Sequence, residues 1–167
     1  MNYFRDIFSG DIILSDELPA NPVAGGFVLE VHPESTEQFI QSLRLSETSY
    51  SKKDLMSKMA HYLTNLKNHV SITTPERLAD FMAKTSAWTK EVLGAYDDYR
   101  YFIGSGGFNN DQMVILGRAD EEGPMMRFFY FKDGLRAEAA VPGVNPWAEY
   151  DAAIAESEAS YSEESEE

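Results

Sequence analysis

Ser51–Gly94, SKKDLMSKMAHYLTNLKNHVSITTPERLADFMAKTSAWTKEVLG, decides the fold. Ser51-Lys52-Lys53-Asp54 has the form of a capping box, in which the serine side chain accepts from a backbone N–H three residues on. Behind it Leu55, Met59, Tyr62, Leu63, Leu66 and Val70 recur at helical spacing and make one apolar stripe. Ser71–Thr74 reads as a short polar break. Thr74 is placed to cap and Pro75 to open a second helix, where its missing N–H costs no hydrogen bond. Leu78, Phe81, Met82, Trp88 and Val92 then continue one face as far as Gly94. Two helices joined by so short a break form an antiparallel hairpin over about 51–94.

On either side the pattern changes to short apolar runs broken by turn residues. Tyr3-Phe4, Ile12-Ile13-Leu14 and Phe27–Val31 precede the hairpin, and Phe39–Leu45 alternates loosely enough to extend a sheet, with Pro33–Gln38 as the connecting loop. After it come Tyr99–Ile103, Gln112–Leu116 and Met125–Phe131, then a turn at Lys132-Asp133-Gly134. Strands, helical hairpin, strands is the order of an α+β protein with an antiparallel, β-rich body and an inserted hairpin, not of alternating βαβ units. The aromatic runs Tyr99–Phe102 and Phe128–Phe131 suit strand cores better than a base-stacking platform. A short helix is expected near Trp147–Ala155, and Ser157–Glu167 is too acidic and too poor in apolar residues to pack.

With 167 residues the chain fits one core, residues 1–140, followed by an acidic extension, 141–167, whose last part is expected to be disordered. It has no cysteine, which removes disulfides, thiolate metal sites and cysteine nucleophiles together. His32, His61 and His69 form no ligand motif, the helical pair being eight residues apart rather than four. No apolar run approaches the length of a membrane span, and the charged N-terminal residues do not read as a secretory signal, so a cytoplasmic location without membrane insertion is expected. Charge is unevenly shared within a net of −14. After Ala137 there are nine acids and no Lys or Arg, whereas Lys52–Lys90 holds seven bases against three acids. An acidic total argues against nucleic acid as the main ligand.

Several pieces, taken together and in order, resemble one family. Tyr3-Phe4-Arg5-Asp6, Ser9-Gly10-Asp11 and Ser15-Asp16 look like the N-terminal strand and turn of the translationally controlled tumour protein (TCTP) family. Glu47–Lys52 resembles the segment entering its hairpin. Phe102-Ile103-Gly104, Asp111–Val114 and Phe131–Leu135 resemble its C-terminal strands. The likeness runs from Met1 to about Ala139. It implies a fold shared with a small Rab exchange chaperone and with methionine sulfoxide reductases, in growth-related cytoplasmic proteins linked to calcium, tubulin, anti-apoptotic partners and small GTPases. Reductase chemistry is excluded here, since it needs a thiolate.

Three departures qualify what the resemblance implies. The family's acidic residue after the aspartate matched by Asp11 is Ile12 here, and the glutamate after Phe-Ile-Gly is Ser105. The long acidic loop between the early strands and the hairpin is cut to about Pro33–Gln38. Loss of both groove carboxylates counts against guanine-nucleotide exchange, leaving Ile12 as an apolar contact in a GTPase-type groove of Asp11, Ile12 and Ser105.

The expected function is thus a non-enzymatic adaptor or chaperone. Its partner-binding residues are taken as the hairpin lysines Lys52, Lys53, Lys58, Lys67, Lys84 and Lys90, suited to the acidic surface of tubulin; a merely solvated helix face is the plain alternative. A small-GTPase regulator is the second reading. No cofactor is required. Calcium is expected to bind weakly if at all, at Asp97 and Asp98 or at Asp120, Glu121 and Glu122, because no EF-hand loop is present. Gly104-Ser105-Gly106-Gly107 precedes no helix and reads as a loop, not a phosphate cradle.

Overall fold

In the computed structural model, which describes residues 1–120, 123 and 125–165, with the backbone alone for 159–165, the hairpin forms on its stripe. Helix α2, Lys52–Thr73, begins at Ser51, whose Oγ accepts from the Asp54 N–H at 3.0 Å. Helix α3, Leu78–Gly94, returns after a 3-10 turn at Pro75–Arg77. The break falls later than the polar run suggests. Ser71 and Thr73 donate their hydroxyls to the carbonyls of Asn68 and His69, at 2.7 and 3.0 Å, and so stay inside α2. Met82 is 43% exposed and not on the buried stripe of α3, because it lies about 100° round the helix from buried Phe81.

The strands make two antiparallel sheets. In the smaller, β1 (Asn2–Asp6) is flanked by β2 (Ile12–Ser15) and β9 (Leu135–Ala139). The larger has the order β3 (Ala20–Val23), β4 (Val28–Val31), β8 (Met126–Phe131), β7 (Ile115–Ala119), β6 (Tyr99–Ile103), β5 (Ser46–Thr48). Strand β8 reads MRFFYF with no alternation because both of its faces are buried. Phe129 and Phe131 meet Trp88 of α3 with ring centres 5.9 and 5.4 Å apart, and Phe131 also meets Tyr62 of α2. Phe128 packs on Phe39 at 4.5 Å, and the Tyr130 hydroxyl donates to the Ile13 carbonyl at 2.8 Å. The hairpin therefore covers one face of the large sheet, while a short helix and the small sheet cover the other.

That short helix corrects the expectation of a strand over Phe39–Leu45. It is α1, Thr36–Ser42, and Ser35 caps it by accepting from the Gln38 N–H at 3.3 Å. Phe39, Ile40 and Leu43 have helical, not alternating, spacing. Gln112–Val114 is likewise not strand: buried Gln112 bonds to the Asn109 N–H and the Gly107 carbonyl and holds a loop, so that β7 begins at Ile115. The last helix, α4, runs Ala148–Ser165, past the end expected near Ala155 and through residues expected to be disordered. Its run of Ala and Glu favours helix without any need to pack. Among the described residues no helix is long and apolar enough to cross a membrane.

Candidate functional site

The six hairpin lysines do not share one face. Lys52, Lys53 and Lys67 are exposed and fall within about 100° of arc on α2, a flank that carries no carboxylate. Lys58 is only 8% exposed. Its ammonium donates to the Asn109 carbonyl at 2.7 Å and lies over the Phe108 ring, and burial pushes its pKa down. Lys58 thus fastens the 104–114 loop to α2 and is withdrawn from any partner surface. Lys84 and Lys90 are exposed on α3 but about 120° apart, and the stem of Lys84 runs beside Gly25.

Asp11, Ile12 and Ser105 do come together, lining a groove of about 900 Å³. Its floor is the β1–β2 turn and the Gly104–Gly107 loop. The Asp11 carboxylate accepts from the Gly106 N–H at 3.2 Å and comes so close that a Cβ at residue 104 or 106 would stand 2.7 Å from it. Glycine at these two positions is a matter of room for that side chain. Burial raises the Asp11 pKa, with Asp6 adding to the rise and the Gly106 bond opposing it. Ile12 is not the projecting contact expected of it. The pairing of β1 with β2 jumps from Phe4 opposite Leu14 to Arg5 opposite Ile12, a bulge at Ile13 that breaks the in-out alternation. Ile12, Ile13 and Leu14 all turn inward, and Ile12 is 2% exposed.

The outer wall of the groove comes from the C-terminal segment, through Val141, Val144, Trp147, Tyr150 and Ile154. Arg44, at the end of α1, holds that wall. It forms an ion pair with Asp151, and its guanidinium lies 4.9 Å from the Trp147 ring centre and 5.1 Å from that of Tyr150. Sequence reasoning misses this cluster, because the partners are far apart in the chain. Its one local signal is an arginine directly after an apolar helix end, where glycine is usual.

Among the described residues the calcium candidates are not gathered into a site. Asp97 and Asp98 lie in a 3-10 turn, Asp98 3.4 Å from Arg118. Asp120 is paired with Arg127 at 2.6 Å, and Glu121 and Glu122 lie outside the described residues. Among the described residues no three His, Asp or Glu are grouped to hold a metal ion.

The same arrangement of hairpin and sheets occurs in known proteins. Residues 32–136 match the family model described as translationally controlled tumour protein. The translationally controlled tumour protein homologue of Schizosaccharomyces pombe is 28% identical, over 83% of this chain and 99% of its own length; that of Crotalus adamanteus is 29% identical over the same shares. Among solved structures, a translationally controlled tumour-associated protein from S. pombe superposes with a TM-score of 0.74 at 26% identity, covering 84% of this chain and 100% of its own. TCTP from Caenorhabditis elegans shares the fold, with a TM-score of 0.61 at 18% identity and the same coverage. The relatives are thus matched almost whole while part of this chain is not, and the family model stops short of the segment that walls the groove. On its sequence and its α+β fold alike, the chain belongs to the translationally controlled tumour protein family.

Proposed function

We propose that this chain is a non-enzymatic, cytoplasmic interaction protein of the adaptor or chaperone kind, and that it meets acidic partner surfaces, such as those of tubulin, through one flank of α2. The observation that carries this reading is the arc of Lys52, Lys53 and Lys67. All three are exposed, with no carboxylate among them, on a helix held rigidly to the sheet by Leu55, Met59, Tyr62 and Leu66. Lys53 and Lys67 stand about 21 Å apart along the axis, a spread that suits a protein surface better than a small ligand. Lys84 and Lys90 belong to other faces of the hairpin and Lys58 to the interior, so three of the six lysines make up the proposed surface.

The test is a pull-down from cytosol at low and moderate salt. It compares the unaltered chain with Lys52→Glu/Lys53→Glu/Lys67→Glu and with a chain ending at Ala140. Retention of tubulin by the first and third but not by the second supports the reading, and equal retention by all three overturns it. No cofactor is part of this function. Calcium enters only as a weak surface ligand of Asp97 and Asp98, and a calorimetric dissociation constant tighter than roughly 10⁻⁵ M, the range of built sensor sites, would be inconsistent with that. Exchange on small GTPases is the lesser reading, resting on the shared groove of Asp11, Ile12 and Ser105; nucleotide release accelerated by the unaltered chain would restore it.

A further inference from the structure

Helix α1 ends in a turn that ordinarily calls for glycine. The Leu45 N–H donates to the Ile40 carbonyl at 3.0 Å and the Arg44 N–H to the Gln41 carbonyl at 3.1 Å, the paired bonds of a Schellman cap. The residue between, Arg44, has φ +54°, left-handed backbone in which a side chain is strained. An arginine held against its own backbone preference points to what its side chain does, since strain of this kind persists where surrounding contacts hold it.

Those contacts lie on the C-terminal segment. Arg44 pairs with one Asp151 oxygen, and the other accepts from the Asn145 amide at 3.0 Å. Asn145 in turn accepts from the Trp147 N–H at 2.9 Å, and the Asp151 N–H donates to the Trp147 carbonyl at 2.8 Å. Residues 145–151 are thereby tied into one unit, with Trp147 and Tyr150 presented to the guanidinium. Beyond it, Ile154 of α4 lines the groove, as do Val141 and Val144, all three exposed. Trp147 also packs against the core, whereas α4 is exposed along 151–158.

We propose that Arg44 is a latch and the C-terminal segment an intramolecular gate: while the latch is closed, residues 141–158 shield the face of Asp11 and Ser105 from macromolecular partners. The gate is independent of the lysine flank, which lies on the hairpin. The apolar wall itself, from Val141 to Ile154, lies beyond residues 32–136, the stretch that the family model matches.

The absence of cysteine makes the gate measurable. Ser105→Cys places a single thiol in the groove, and its reaction rate with a bulky polyethylene-glycol maleimide reports access. The rate is compared in the Arg44 chain, in Arg44→Gly and in a chain ending at Ala140, each normalised to its rate in urea. Glycine suits the backbone at this position, so Arg44→Gly removes the latch without harming the turn. Labelling faster by about tenfold in both altered chains is the expected result, the shift that joint loss of a half-exposed ion pair and two guanidinium–ring contacts gives a two-state equilibrium. Equal rates in all three chains overturn the gate. Fast labelling of the shortened chain with slow labelling of Arg44→Gly overturns the latch.

Discussion

The N–H of Met113 donates to Oδ2 of Asp6 at 2.8 Å, joining residues 107 apart in the chain. Asp6 is 2% exposed, and the same carboxylate also accepts from the Phe8 N–H at 3.0 Å and the Ser9 hydroxyl at 2.9 Å. One side chain thus closes the β1–β2 turn and fixes the stretch leading into β7 against it. Asp6→Ala leaves buried donors without a partner and is expected to destabilise the fold by about 3 kcal/mol, read from urea unfolding. A loss under about 0.5 kcal/mol would show that the bonds are replaced by water.

Tyr62 offers the opposite case. Its hydroxyl is buried with no hydrogen-bond partner among the described residues, and Gly134 lies against it so closely that a Cβ there would overlap it. Tyr62→Phe is expected to stabilise the protein by about 1 kcal/mol, since the desolvated hydroxyl returns nothing. Gly134→Ala should lose about 2 kcal/mol or more through overpacking. Thermal unfolding of both variants checks the pair, and a less stable phenylalanine variant would reveal a hidden partner.

The lysines separate into two kinds by stability. Lys53→Glu and Lys67→Glu, on the exposed flank of α2, should lie within about 0.5 kcal/mol of the parent chain. Lys58→Glu should lose about 3 kcal/mol, because it buries a carboxylate beside Asp6 and Asp111 in place of their cationic neighbour. Circular dichroism against urea measures this directly. Similar losses at all three positions would count against the burial of Lys58.

Asp11 gives the protein a pH dependence with a definite sign. Burial raises its folded pKa, so the folded state holds that proton more tightly than the unfolded chain and ionisation costs stability at neutral pH. The cost vanishes below the unfolded value of about 3.9. Asp11→Asn should therefore be the more stable form at pH 7, with the gap closing as the pH falls toward 4. An asparagine variant less stable at pH 7, with the deficit disappearing as the pH falls below about 4, would mean that the Gly106 bond outweighs burial.

Elements with an internal period were legible in the sequence, and those specified by distant partners were not. The hairpin could be read because Ser51 and the Leu55–Val70 stripe are local signals. β4 and β8 could be read as apolar runs. β3, with its central Pro22, β5, of three residues, and β9, mostly exposed, owe their existence to neighbours in space. Phe39–Leu45 misled because seven residues with two adjacent apolar positions fit either period, and the serine cap that decides it is weak on its own. At the site, Asp11 and Ser105 were recognisable from the surrounding motifs. The burial of Ile12 depends on a bulge that only the pairing of β1 with β2 discloses. Arg44 and Asp151, like Asp6 and Met113, belong to contacts across the chain that no window of sequence contains.

The borders of the sheets carry a further meaning. The six-stranded sheet ends at one side on β3, where Pro22 has no N–H to offer, and at the other on the three residues of β5. The small sheet ends on the bulged β2 and on β9, with Arg136 and Glu138 along it. None of these borders is a good template for an added strand, so fibril growth and strand exchange between copies find little to propagate from. An abundant copy number in a crowded compartment would be tolerated by such a molecule, and whatever recognises it must read side chains rather than zip onto its main chain.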